Sequence, residues 1–416
     1  MEKEKREIGY KDIFSQKEYL KLILASLISR FGDSVDAMAF TWLVYQVTGS
    51  AAWSAIVFAV NQLPEILVQP FAGALVEGLN KKILMITTHL IRGVIVAALA
   101  FLTLADMVTP MILVLFTFLI TTVEAFCLPA GMAIVPKLLT EEYYEFGTSL
   151  KATLSSVVEL IGIALGGVII GVFGIYTAIF IDAATFFGAA IILSFMKVQE
   201  GNLHKGKVDG AAYFKTLKDG IAYVKKEPVI LNFCLMAVVL NALVVPFNSL
   251  QGPIVSQLLG QDAEFLSVLG IAMVLATGLG SAVFPFLSKK ISVRGMLVCS
   301  GLGIGAGLFV LTLGSLCRDK IYLIYGITIV SSLFIGMGAG ILTSVLNVQF
   351  MKAVSKEYLA RAGSIFNAVA SAAVPLTSFV ISFIAVYFSV EEILVVCAIF
   401  CVIIFAYIGI RKVRFE

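Results

Sequence analysis

Long apolar runs, separated by short polar segments, recur along the whole chain. Each run is close to the roughly 20 helical residues that are needed to cross the hydrocarbon core of a bilayer. The pattern predicts an all-α integral membrane protein with twelve transmembrane helices in two six-helix halves. The runs lie at about residues 20–46, 52–76, 83–105, 110–135, 148–171, 175–196, 229–251, 265–287, 295–314, 321–345, 361–387 and 391–410.

Composition and charge agree with a membrane protein. Of 416 residues, 60% are apolar and 14% are charged, whereas a soluble domain has about 25% charged residues. If the N-terminus is inside, the inner segments hold 26 of the 30 lysines and arginines. Arg30 and Arg92 lie within predicted spans, and Arg318 and Lys320 occupy an outer loop. Because basic loops stay in the cytoplasm, we expect a multi-pass protein of the cell membrane with both termini cytoplasmic.

The longest inner segment follows the sixth run and predicts three domains. They are an N-terminal six-helix half (1–196), a cytoplasmic linker (197–228) and a C-terminal six-helix half (229–416). Four apolar residues recur in the linker at helical spacing. We therefore expect an amphipathic helix on the cytoplasmic surface, although a plain connection between the halves stays open. These residues are Phe214, Leu217, Ile221 and Val224.

A weak internal repeat relates the two halves. Glu142–Tyr143, after the fourth run, matches Glu357–Tyr358, after the tenth, at an offset of 215 residues. Ser149 matches Ser364 at the same offset. Parallel duplication of a helical bundle is a known transporter architecture, so the repeat favours a transporter.

The first run carries three charged residues in its middle. Arg30, Asp33 and Asp36 follow one another at three-residue steps, so they share one face of a helix. A carboxylate at the bilayer midplane costs about 2.5–3.5 kcal/mol on insertion scales, so this face must look toward protein or water. Two interpretations stay open: an Arg30–Asp33 ion pair that only fixes packing, or a proton or substrate site. In either case we expect loss of Arg30 to harm folding most.

Carboxylates deep inside the predicted spans are confined to the first half of the chain, since Glu264, Glu391 and Glu392 of the second half lie at outer span ends. Buried polar groups require partners or water, so this asymmetry indicates a first half that titrates. A structural role stays open for Asp182, because a carboxylate near a helix start suits the helix dipole. Glu65 is interpreted as a structural residue that pairs with Arg92. The proton-coupling candidates are Arg30, Asp33, Asp36, Glu124 and Glu159.

The second half offers neutral polar side chains in place of carboxylates. Because buried polar groups require partners or water, we expect these amides to help bind a substrate. The 31 phenylalanines and 13 tyrosines of the chain suit an apolar pocket. The substrate-pocket candidates are Asn232, Asn241, Asn248, Asn347, Gln349 and Asn367.

Several motifs carry a family resemblance. LPEILVQPFAGALVEGLNKKILM, at 63–85, resembles the loop motif of the major facilitator superfamily, whose usual form is G-x-L-x-D-R-x-G-R-R/K. The Gly32–Asp33 pair, TGSA at 48–51 and IFIDAATFF at 179–187 are similar to the macrolide-efflux and siderophore-exporter branch of drug:proton antiporters. The likeness covers nearly the whole chain. It implies the major facilitator fold and transport by alternating access.

The resemblance also implies a conformational latch in the loop after the second span. Glu77 replaces the usual Asp of the motif. Ile120 stands where many proton-coupled members have an Arg, and Ile163 stands where antiporters usually have a Pro. These departures affect the coupling scheme more than the fold. The latch residues are Gly73, Glu77, Lys81 and Lys82.

The sequence favours a secondary transporter over an enzyme. It has two histidines and no HExxH, GxSxG or Walker A motif, so we expect no enzymatic activity, no cofactor and no metal site. We expect a monomeric, proton-coupled exporter of a bulky amphipathic molecule such as a drug, macrolide or siderophore. Its partners are then the substrate, protons and the lipid bilayer, and not nucleic acid. The alternatives are an importer or lipid flippase of the same fold, or a non-transporting membrane scaffold.

Overall fold

The protein is helical throughout the part of the chain that its computed structural model describes. These are residues 13–68, 72, 76, 79–140, 143–198, 226–354 and 359–410. No β-strand occurs among them, and each predicted apolar run overlaps one long helix, so the all-α class is confirmed. The long helices are α1 (Lys17–Thr48), α2 (Ala51–Leu67), α3 (Lys81–Leu104), α4 (Pro110–Leu138), α5 (Tyr144–Phe173), α6 (Ile175–Ser194), α7 (Pro228–Ser249), α8 (Glu264–Leu287), α9 (Val293–Thr312), α10 (Ile321–Ala353), α11 (Leu359–Ile384) and α12 (Val390–Ile410).

Ten of these helices are long and apolar enough to cross a membrane. The other two occupy the places of the first two predicted spans. They are α1, which carries Arg30, Asp33 and Asp36 in its middle, and α2, which has 17 residues. The three charged residues of α1 mark the place where a site is expected.

Capping side chains explain where several helices begin. The side chain of Asn80 accepts a hydrogen bond from the N–H of Ile83 at 2.8 Å at the start of α3. Thr109 caps α4 in the same way, and Pro110 occupies the first helical position. Ser292 caps α9. Such caps satisfy N–H groups that have no partner within the helix, and proline suits the first turn because it lacks an N–H.

Two compact units can be distinguished, and the first comprises Met1–Leu43 and Leu63–Val208. In this unit α3 packs along α6 and α4. α1 and α5 approach closely at Gly162, where an added Cβ would lie 3.0 Å from the carbonyl oxygen of Phe31. Small residues allow such close approach between helices in membranes. An apolar core cluster of the unit includes Tyr19, Leu22, Met85, Ile134 and Leu193.

The second unit comprises Val44–Gln62 and Asp209–Glu416. Here α10 packs along both α8 and α9, α9 packs along α12, and α7 packs along α11. Glycines of α10 again allow the close approach: a Cβ added at Gly336 would lie 2.6 Å from the Cβ of Ala276 on α8. Close backbone packing thus fixes the position of α10, which is the longest of the described helices.

The segment that connects α7 to α8 contains a π-helical turn, which is an uncommon element. The turn covers Ile254–Leu258, and the chain then reverses at Gly260, whose φ is +66°. Arg318, from the loop between α9 and α10, donates hydrogen bonds to the carbonyl oxygens of Leu258 at 3.2 Å and Gln257 at 2.5 Å. A cation is favourable at a helix C-terminus, where carbonyl groups lack partners. This contact gives a structural reason for a basic residue in a predicted outer loop.

We expect Arg318→Gln to destabilise the second unit by about 1 kcal/mol, because two carbonyl groups lose a charged donor. The measurement is the unfolding temperature of the detergent-purified protein. Lys320→Gln is the matched control, since Lys320 is an exposed cation of the same loop. Equal losses in the two variants would argue against a capping role for Arg318.

The predicted linker falls largely outside the described residues. Its central part, 199–225, contains all four residues of the proposed amphipathic helix, Phe214, Leu217, Ile221 and Val224. The predicted domain boundaries, which place the linker at 197–228, therefore stay a prediction.

Candidate functional site

Four helices of the first unit meet around one buried cation, Arg92 of α3. Its Nη2 atom lies 2.9 Å from Asp33 Oδ1 on α1 and 3.3 Å from Glu124 Oε2 on α4. Its guanidinium carbon lies 4.1 Å from the ring centroid of Phe186 on α6. The Arg92 side chain is only 7% exposed. A guanidinium suits this position because it can bind more than one carboxylate and can stack on an aromatic face.

The ion pairs differ from both pairs that the sequence suggested. Arg30 lies 3.6 Å from Glu159 on α5, and Asp33 pairs with Arg92, so the described contacts contain no Arg30–Asp33 pair. The suggested Glu65–Arg92 pair is likewise wrong for the described residues, where Arg92 pairs with Asp33 and Glu124. The reason is geometric: two residues on one face of α1 each have a partner from a different neighbouring helix.

Asp182 of α6 lies directly against α1. A Cβ added at Gly32 would collide with the side chains of Asp182 and Thr185, so only glycine lets α6 approach here. Asp182 is 2% exposed, and Thr185 Oγ1 lies 3.4 Å from its Oδ1. Asp36 follows Gly32 by one helical turn, on the same face. Its Oδ1 is buried and has no hydrogen-bond partner among the described residues.

The site therefore holds more carboxylates than cations. Arg92 pairs with Asp33 and Glu124, and Arg30 pairs with Glu159. Among the described residues, Asp36 and Asp182 form no ion pair. An uncompensated charge is costly in a low-dielectric interior, so such an excess of acids is a place where protons can be held.

Arg92 and Asp182 were not among the proton-coupling candidates. A signal for Arg92 was present, because the cost of placing a charge within a span applies to an arginine as much as to an aspartate. For Asp182 the signal was weaker, since a carboxylate near a helix end also has a simple structural explanation. The contact at Gly32 is a tertiary feature that one sequence does not show.

The predicted latch is described only in part. Gly73 and Glu77 lie outside the described residues. Lys82 Nζ donates a hydrogen bond to the carbonyl oxygen of Ser194, at the end of α6, at 2.8 Å. Lys81 is buried and 6% exposed. Lys82 thus has a capping contact within the first unit, and the role of the loop as a conformational latch stays a prediction.

The amide candidates of the second half are spread over α7, α10 and α11. Asn241 Nδ2 donates a hydrogen bond to the carbonyl oxygen of Ala370 at 2.9 Å and so joins α7 to α11. This contact gives Asn241 a structural role. The described contacts do not gather all six amides around one cavity, so the substrate pocket stays a prediction. The other five candidates are Asn232, Asn248, Asn347, Gln349 and Asn367.

Comparison with known proteins adds independent information. A family model described as a transmembrane secretion effector matches residues 12–415. The multidrug efflux pump Tap of Mycolicibacterium fortuitum is 24% identical over 302 residues, which cover 70% of this chain and 72% of Tap. YfiS of Bacillus subtilis (strain 168), named as an uncharacterized MFS-type transporter, is 25% identical over 230 residues. That match covers 54% of this chain and 53% of YfiS, about half of the length of that relative.

Among solved structures, the nucleoside transporter NupG has a similar fold. The comparison gives a TM-score of 0.75 and covers 95% of this chain and 100% of the NupG chain. The two sequences are 13% identical. At this identity the likeness concerns the fold alone, and it agrees with the helical architecture described above.

Proposed function

The chain belongs to the transmembrane secretion effector family of the major facilitator superfamily, and from this we propose that it is a proton-coupled exporter. It is a multi-pass membrane transporter and not an enzyme. Export is supported by the similarity to Tap, which is named as a multidrug efflux pump. We propose that the substrate is a bulky amphipathic small molecule such as a drug, macrolide or siderophore, and that transport follows alternating access.

The observation that carries proton coupling is the position of Arg92 between two carboxylates on different helices. Asp33 belongs to α1 and Glu124 to α4, and both lie within 3.3 Å of the same guanidinium nitrogen. Ser29 Oγ lies 3.5 Å from the other oxygen of Asp33, so Arg92 is the only charged partner that the described contacts give Asp33. A proton on Asp33 therefore competes directly with Arg92.

This competition gives a mechanism for coupling. When Asp33 is protonated, Arg92 loses one of its two anionic partners and keeps Glu124. The ion pair that joins α3 to α1 is lost, while the ion pair that joins α3 to α4 remains. A proton can bias an alternating-access equilibrium only if the two states differ in such contacts. In the proposed cycle Asp33 takes up a proton from outside, releases it inside, and the substrate moves in the opposite direction.

Reconstituted vesicles with an imposed pH gradient test this function. The probe is an amphipathic fluorescent dye whose accumulation falls in cells that express the protein and lack other efflux pumps. We expect dye transport against its gradient only when the pH gradient is imposed, together with dye-induced proton movement in the opposite direction. Transport that a sodium gradient drives equally well, or dye movement in the import direction, would contradict the proposal.

We also propose that the protein is a monomer in the cell membrane with both termini in the cytoplasm. Gly49→Cys and Gln261→Cys, in a Cys-free background, are expected to react with an impermeant thiol reagent in intact cells. Both positions lie in turns between described helices. Gly206→Cys, in the linker, is expected to react only after permeabilisation. Labelling of that variant in intact cells would overturn the orientation.

A further inference from the structure

An apolar groove lies in the second unit between α8, α9 and α10. Its volume is about 530 Å³. Cys299, Val330 and Phe334 are exposed, so the groove opens to the outside of the protein. Two glycines, Gly303 of α9 and Gly338 of α10, also line the groove. The other lining residues are apolar except for the buried Ser300; they are Leu287, Ile291, Met296, Ser300, Leu333, Met337 and Ile341.

The length of the groove matches one leaflet of a bilayer. Its lining on α10 extends from Val330 to Ile341, which is about 16 Å at the helical rise of about 1.5 Å per residue. The hydrocarbon core of a bilayer is about 30 Å thick, so one leaflet contributes about 15 Å. The groove therefore has the dimension and the apolar lining of a site for one acyl chain.

One end of the groove carries positive charge. Leu287 and Ile291 line that end, and between them in the sequence are Lys289 and Lys290, which are both exposed. The N-terminus of α9, capped by Ser292, lies beside them and adds the positive end of a helix dipole. No carboxylate occurs between Leu287 and Ser292.

We propose that this groove binds one anionic phospholipid, with an acyl chain along α10 and the headgroup phosphate at Lys289 and Lys290. The groove is as long as one leaflet, so the headgroup of a bound lipid would lie at its end. The lysines at that end are positively charged and a phosphate is negatively charged. Basic residues at membrane-facing helix ends recognise anionic headgroups in this way. The site is separate from the charged cluster at Arg92 and does not depend on the proposed transport activity.

Binding to the detergent-purified protein tests the headgroup contact. Three probes are compared. Two are the anionic lipid phosphatidylglycerol and the zwitterionic lipid phosphatidylcholine, with identical acyl chains, and the third is inorganic phosphate without a lipid. We expect native mass spectrometry to show one retained phosphatidylglycerol, and only this lipid to raise the unfolding temperature. In Lys289→Gln/Lys290→Gln, affinity is expected to fall about 30-fold, since each basic residue near a membrane surface contributes about 1 kcal/mol, which is about fivefold in affinity. Lys320→Gln/Lys352→Gln removes two exposed lysines elsewhere and is expected to bind normally.

A second measurement tests the groove itself. Cys299 lines the groove and is exposed, so phosphatidylglycerol is expected to slow its modification by a maleimide more than phosphatidylcholine does. Gly303→Leu is expected to abolish retention of the lipid, because an added Cβ has room there, 3.7 Å from the nearest atom, and the longer side chain then fills the groove. Equal effects of the two lipids, a shift with inorganic phosphate alone, or unchanged Cys299 modification would overturn the proposal.

Discussion

Asp33→Asn is expected to abolish proton-driven export while the protein stays folded and inserted. Asparagine keeps the shape of the side chain and an oxygen that can accept the hydrogen bond that Arg92 Nη2 donates at 2.9 Å. It cannot bind and release a proton at neutral pH, so the competition between a proton and Arg92 no longer exists. We expect dye-driven proton movement to fall to that of vesicles without the protein.

Asp106→Asn is the matched control for this experiment. Asp106 lies in the exposed turn between α3 and α4 and has a φ of 52°, a backbone conformation that asparagine also adopts readily. The same chemical change, made in an exposed turn 14 residues beyond Arg92, is expected to leave transport unchanged. If Asp33→Asn still couples dye transport to proton movement at the wild-type level, the Asp33–Arg92 contact has only a structural role.

The fold could be predicted because a bilayer restricts what a long apolar run can do. Backbone polar groups in hydrocarbon must be satisfied within the segment, and a helix does this. The eighth run, predicted at about 265–287, is the helix Glu264–Leu287, and the twelfth, predicted at about 391–410, is Val390–Ile410. Local hydrophobicity was sufficient for these elements, because neither depends on its neighbours to be helical.

The pairing of charges in the site could not be predicted in the same way. Helical spacing places Arg30 and Asp33 on one face of α1, and this made a pair between them a natural interpretation. Which partner each residue has depends on the neighbours that pack against that face. α3 brings Arg92 to Asp33, and α5 brings Glu159 to Arg30. Helix packing decides such contacts, and a single sequence carries no direct signal for it.

The same contacts change which arginine is expected to contribute more to the stability of the fold. The sequence pointed to Arg30 as the residue whose loss would harm folding most. The side chain of Arg30 is 49% exposed, and its ion pair with Glu159 is 3.6 Å long. Arg92 is 7% exposed and serves Asp33 and Glu124 together. Solvent screens an exposed pair and lowers its contribution, so the larger structural role belongs to Arg92.

Arg92→Met is therefore expected to be the most destabilising single substitution in the site. Methionine fills part of the volume of the arginine stem but leaves Asp33 and Glu124 without their cation. Loss of one partner of a buried ion pair costs about 3–5 kcal/mol. We expect a value near the lower end, because Asp33 and Glu124 are 28% and 49% exposed and solvent screens part of their charge. We expect a large fall in the yield and unfolding temperature of the detergent-purified protein. Arg30→Met, the matched arginine of the same unit, is expected to have a much smaller effect.

A double variant separates the charge effect from lost packing. In Arg92→Met/Asp33→Asn, one of the two uncompensated carboxylates is absent, so we expect the double variant to be more stable than Arg92→Met alone. The non-additive part of the double-mutant cycle then measures the Asp33–Arg92 interaction. Arg92→Lys is expected to restore stability only in part, because an ammonium group lacks the planar fork and the weaker hydration of a guanidinium. A double variant no more stable than Arg92→Met would mean that packing around Phe186, and not the ion pair, accounts for the loss.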